Sequence, residues 1–88
     1  AERLRVERAE IEAIRDGLVT APDDPAPQLR AARWLLDHGR DEEGLRWTRK
    51  ILSARPSHAE THRLLADYFA KRGDVGLTNY HRLQAGSG

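Results

Sequence analysis

Apolar positions along the chain recur at helical spacing, and no stretch reads as a strand. Leu4, Ile11, Ile14 and Leu18 follow one another at steps of seven, three and four between Glu2 and Thr20, which puts them on one face of a helix whose other faces are charged. That helix is predicted to end before Ala21-Pro22-Asp23-Asp24-Pro25, because proline lacks an amide donor and drives the residue before it out of the helical region. A second helix is predicted from Pro25 to His38, capped by Asp24 and carrying Leu29, Ala32, Leu35 and Leu36, with Gly39 as a left-handed terminator. The third, from Asp41 to Ala54, sets Leu45, Thr48, Ile51 and Leu52 opposite Arg46, Arg49 and Lys50, and Pro56 closes it. Ser57 and Glu60 have the spacing of a capping box at the start of a fourth helix bearing Leu64, Leu65, Tyr68 and Phe69. Gly73 stops that helix, and a shorter fifth carries Leu77, Tyr80 and Leu83.

These elements share a period. Pro22 and Pro56 stand 34 residues apart, as do Gly39 and Gly73. The same shift carries Ile11, Ile14 and Leu18 onto Leu45, Thr48 and Leu52, and Ala32 and Leu35 onto Ala66 and Phe69. Stops and apolar faces that keep one spacing imply stacked, like units.

In this the chain resembles the tetratricopeptide repeat family, whose unit of about 34 residues is a pair of antiparallel helices. Leu65, Ala66 and Phe69 stand at the family's leucine, small and aromatic sites, and Ala32 and Leu35 match the last two in the preceding unit. Gly44 occupies the small site of the second helix, and Pro56 the closing proline. The chain departs from the pattern where Gln28 and His62 replace the leading tryptophan, Ala31 replaces leucine and Thr48 replaces an aromatic. The resemblance implies an all-α fold of five helices, built as antiparallel helix-turn-helix repeats stacked into a short right-handed α-solenoid. Residues 1–24 would be the second helix of a preceding repeat or a capping helix, 25–58 one repeat, 59–85 a second with a terminal cap helix, and 86–88 a flexible tail.

The last helix requires an adjustment. An ungapped shift would bury Thr78, Asn79 and Arg82, which desolvation opposes. Removing two residues around Gly73-Asp74 instead sets Gly76, Leu77, Tyr80 and Leu83 in the places of Gly44, Leu45, Thr48 and Ile51. A shortened turn is therefore expected there, with the polar remainder of the helix facing water as an end cap.

Composition narrows the functions. Eighty-eight residues support one small core. No cysteine is present, so disulfides, thiolate metal sites and cysteine nucleophiles are excluded, and the redox compartment stays open. Fifteen basic residues against fourteen acidic ones leave a net charge of +1, too balanced for a general trap of nucleic acid or anionic membrane. Apolar runs reach only two or three residues, as at Trp34-Leu35-Leu36, whereas a membrane span needs ~20 and a signal peptide about 7. The chain reads as soluble with no membrane partner. It holds no methionine and closes on Gly86-Ser87-Gly88, as a piece of a longer protein would.

Candidate chemistry is sparse. His58 and His62 are four apart, a spacing that puts two imidazoles on one metal, but no third ligand accompanies them; a cap histidine and a partly buried one account for both. His38 suits a helix C-terminus, and His81 is expected on the outward face. No phosphate loop or nucleophile elbow occurs, and Ser53 and Ser57 have no base beside them. Glu42-Glu43 and Asp23-Asp24 sit at helix starts, where the macrodipole explains them. An enzyme is not expected, and neither is a metal or cofactor.

Trp34 and Trp47 are expected to pack between neighbouring helices, with interaction hot spots as the other reading. Arg30, Arg33, Arg46, Arg49, Arg63 and Arg72 are read as solvated charge in helical reach of acids, which leaves nucleic-acid binding the weakest option. The family's concave groove, carried over by alignment, would comprise Leu29, Arg33, Leu36, Arg63, Asp67 and Lys71. The lysine, arginine and asparagine set of the family's carboxylate clamp is not reproduced. The expected function is a protein-interaction or scaffolding module that binds a peptide or helix, a second copy of the chain included. The alternative is a structural or oligomerisation segment packed on a neighbouring domain.

Overall fold

The computed structural model describes residues 2–86, with side chains from Arg8 to Gly86; Leu4 of the first stripe, and Ser87 and Gly88 of the expected tail, lie outside these. Among the described residues the chain forms five helices and no strand: α1 (Glu2–Thr20), α2 (Pro25–Asp37), α3 (Asp41–Ala54), α4 (Ala59–Lys71) and α5 (Val75–Gly86). No described helix is long and apolar enough to cross a membrane.

The helices stop where the sequence requires. Asp24 is extended, and its carboxylate accepts from the Ala26 N–H at 3.0 Å, while Pro25 starts the first turn. Gly39 and Gly73 both adopt φ 78°. Each ends its helix with the same pair of backbone bonds: the Arg40 and Asp74 N–H groups reach the Leu35 and Phe69 carbonyls at 2.8 and 3.0 Å, and the glycine N–H groups reach Leu36 and Ala70 at 3.3 and 3.1 Å. A left-handed glycine is what permits this wrap. An added Cβ would meet nothing at either site, so the cost of a side chain there is conformational alone. Gly39→Ala and Gly73→Ala are expected to destabilise by about 1 kcal/mol each, measured as similar falls in the urea midpoint.

Two expectations are corrected. The cap of α4 is His58, not Ser57: its backbone is extended and its Nδ1 accepts from the Thr61 N–H at 3.3 Å and from the Thr61 hydroxyl at 2.8 Å. The imidazole lone pair does the work expected of the Ser57 hydroxyl, and Glu60 stays exposed in the first turn. The turn at Gly73-Asp74 is not shortened either. It runs from Lys71 to Val75, as the earlier one runs from Asp37 to Asp41.

In consequence α5 turns its other face inward. Thr78 and His81 are buried, whereas Val75 is 69% and Leu83 72% exposed, with Leu77 and Tyr80 also open. Burial of the polar side is tolerated because its groups are bonded: the Thr78 hydroxyl donates to the Asp74 carbonyl at 2.6 Å, and His81 meets His62. Asn79 and Arg82 remain exposed on the flanks.

The core lies between α2, α3 and α4, where Leu29, Ala32, Ile51 and Leu64 pack together with Leu36 and Trp47 against them. α2 packs chiefly on α3 and α4 chiefly on α5, while among the described residues α1 touches only α2. At one end Asp41 of α3 accepts from the Tyr68 hydroxyl at 3.0 Å and pairs with Arg72, whose guanidinium lies over the Tyr68 ring.

Candidate functional site

Of the six residues expected to form a groove, Arg33, Leu36, Asp67 and Lys71 line one depression of about 150 Å³ between α2 and α4, together with Asp37, Leu64 and Tyr68. Arg33, Asp37, Asp67 and Lys71 are exposed, so two cations and two anions rim an apolar floor of Leu36, Leu64 and Tyr68. Leu29 belongs to the core instead. It packs with Ile51 and Leu64 and is only 7% exposed. Arg63 is exposed but outside this depression.

A second concavity was not anticipated. Ile11, Ile14, Leu18, Ala31, Trp34 and Leu35 border a space of about 310 Å³ between α1 and α2. In the sequence these residues read as stripe and core. Because among the described residues α1 touches only α2, Ile11, Ile14 and Leu18 are half-covered. Trp34 is accordingly half-buried, not enclosed; its ring stacks on His38 at 4.0 Å, and its indole N–H has no hydrogen-bond partner among the described residues. Trp47 is also half-buried, with the Lys50 ammonium 5.1 Å from its ring centre. The sequence signal for this concavity was the apolar series Ile11, Ile14 and Leu18 on one helix and a tryptophan on the next.

The histidines have separate roles. The His38 ring donates through Nδ1 to the Trp34 carbonyl at 2.7 Å, so it satisfies a helix-end acceptor. His58 caps α4 and does not converge with His62. His62 is buried, donating from Nε2 to the Pro56 carbonyl at 2.8 Å while its Nδ1 lies 2.9 Å from Nδ1 of His81. The expectation that His81 faces outward is therefore corrected: it is 8% exposed and stacks on Phe69. Among the described residues, no three histidine or carboxylate groups gather as a metal site.

His62 has a counterpart. The Gln28 amide donates from Nε2 to the Pro22 carbonyl at 2.6 Å, which is the same reach to a turn proline made 34 residues earlier. This explains why amide and imidazole stand where an aromatic was expected: each ties the start of its helix to the preceding turn. Both side chains are buried, and both are bonded. No protein-family model, curated protein or solved structure matches this chain.

Proposed function

We propose that the chain is a tetratricopeptide-like interaction module that receives a peptide or partner helix along the depression between α2 and α4. The observation that carries this reading is the convergence of Arg33, Leu36, Asp67 and Lys71 on one concave surface. An apolar floor with rim charges of both signs suits an amphipathic segment of mixed charge, and it disfavours a uniformly acidic or basic one.

The helix boundaries support a stacked-hairpin arrangement. α1 ends at Thr20 and α3 at Ala54; α2 starts at Pro25 and α4 at Ala59; α3 starts at Asp41 and α5 at Val75. Each pair differs by 34 residues, as equal units would require.

The test is selection of displayed peptides on the immobilised chain, followed by affinity measurement with Arg33→Glu. Reversal of this rim charge is expected to weaken the selected peptides about tenfold, while equal binding would remove this surface from consideration. The exposed apolar side of α5 favours a second reading, a structural or oligomerisation segment. Light scattering over a range of concentrations separates the two: a monomer throughout speaks for a free groove, and a concentration-dependent mass for self-assembly.

A further inference from the structure

The chain buries two imidazoles against each other where an apolar contact would have served. Their hydrogen bonds have a fixed direction. The Pro56 carbonyl only accepts, so His62 carries a proton on Nε2. In the neutral ring Nδ1 is then an acceptor, and the 2.9 Å contact requires His81 to donate from its own Nδ1. The relay runs from α5 through α4 to the turn: His81 to His62 to Pro56. One added proton can reside on His81 without breaking it. A second would set N–H against N–H at 2.9 Å.

We propose that the His62–His81 pair is a pH-operated latch that holds α5 on α4 near neutrality and releases it as the solution becomes mildly acidic. Among the described residues no carboxylate pairs with either imidazole, so an incoming charge meets only the face of the Phe69 ring. α5 touches no helix but α4 among the described residues. On α4, Glu60, Arg63, Asp67 and Lys71 are exposed, and the Tyr68 hydroxyl is committed to Asp41. On α5, Arg82 is exposed, and the Tyr80 ring stands nearly perpendicular to both imidazoles, at 78° to His62 and 76° to His81. In the preceding turn Arg55 is exposed, and His58 is engaged with Thr61. Among the described residues neither imidazole joins an ion pair.

Burial, with the neighbouring His62 second, lowers the pKa of His81 below the ordinary histidine value. The sign follows. With α5 released, His81 takes up a proton as the pH falls through about 6.5; docked, it resists until lower pH. The docking contribution is therefore complete above that value and is lost as the pH falls through the docked one. Release would uncover the α4 surface around His62 and Phe69.

The test is amide hydrogen exchange on the whole chain at pH 7.5 and 5.5, corrected for intrinsic rates. Amides of α5 are expected to exchange about tenfold faster, relative to α2 and α3, at the lower pH. His81→Phe, which keeps a ring against Phe69, is expected to abolish the difference. His62→Gln is expected to fold, because Gln28 already makes the equivalent proline bond, and to reduce the difference. Unchanged α5 protection in the native chain, or the same loss in His81→Phe, overturns the latch. Should a variant fail to fold, imidazole nitrogen shifts of the native chain decide: Nε2–H on His62 with Nδ1–H on His81 is expected, and two freely titrating rings overturn the proposal.

Discussion

Truncation of Ile51 to alanine is expected to lower the unfolding free energy by about 3 kcal/mol. Ile51 is 1% exposed and lies among Leu29, Ala32 and Leu64, where α2, α3 and α4 meet. Removing its outer carbons forfeits their burial and leaves a space that the surrounding helices fill only in part. The effect weighs heavily because domains are stable by only about 5–15 kcal/mol, and a short chain buries a small fraction of its surface. At roughly 4–8 °C per kcal/mol for a domain of this size, the thermal midpoint should fall by some 12 °C or more. Thermal and urea melts followed by circular dichroism measure it. A loss below about 1 kcal/mol would mean that the three helices are not packed around this residue.

Gly44→Val is expected to cost about 2–3 kcal/mol. A Cβ at this position would stand 2.8 Å from Cγ and Cδ2 of Leu36 and 3.1 Å from the Ala32 carbonyl oxygen. The leucine can turn aside only by leaving the core, and the carbonyl belongs to the α2 backbone, so the two helices must separate. An ordinary helix gains up to about 1 kcal/mol when glycine is replaced by alanine. Gly76→Ala supplies that contrast: its Cβ would meet only the Asp74 carboxylate, at 3.8 Å, and the change is expected to stabilise. Gly44 and Gly76 were expected to hold equivalent places in a gapped register. Opposite signs in paired urea melts would show that they do not.

The punctuation of the fold was legible because it rests on local chemistry. Prolines at 22, 25 and 56 and glycines at 39 and 73 act through their own backbone limits, whatever surrounds them, and helices appear between them as expected. The facing of α5 was not legible. Hydrophobicity argued that Leu77, Tyr80 and Leu83 should be inside, since burying Thr78, Asn79 and Arg82 would cost desolvation; the polar groups that α5 does bury are Thr78 and His81. Their partners are the Asp74 carbonyl one turn back and His62 at a distance of 19 residues. The second of these is invisible to any local reading. The cap of α4 was misplaced for a related reason: serine is the familiar acceptor, yet the neighbouring imidazole presents an equivalent lone pair.

The groove was carried over by alignment to the family, and four of its six residues, Arg33, Leu36, Asp67 and Lys71, line one depression between α2 and α4. Leu29 packs in the core, because an aligned position does not tell how far a third helix covers it. Trp34 shows the reverse case, a large ring assigned to the interior that α1 only half conceals.

The inversion of α5 also governs its response to temperature. Adhesion through threonine and imidazole sheds little ordered water, so undocking of this helix should carry a small heat-capacity increment, unlike the oily junction of α2 and α3. Chilling, which weakens hydrocarbon association, would then spare the C-terminal helix and tax the centre of the molecule.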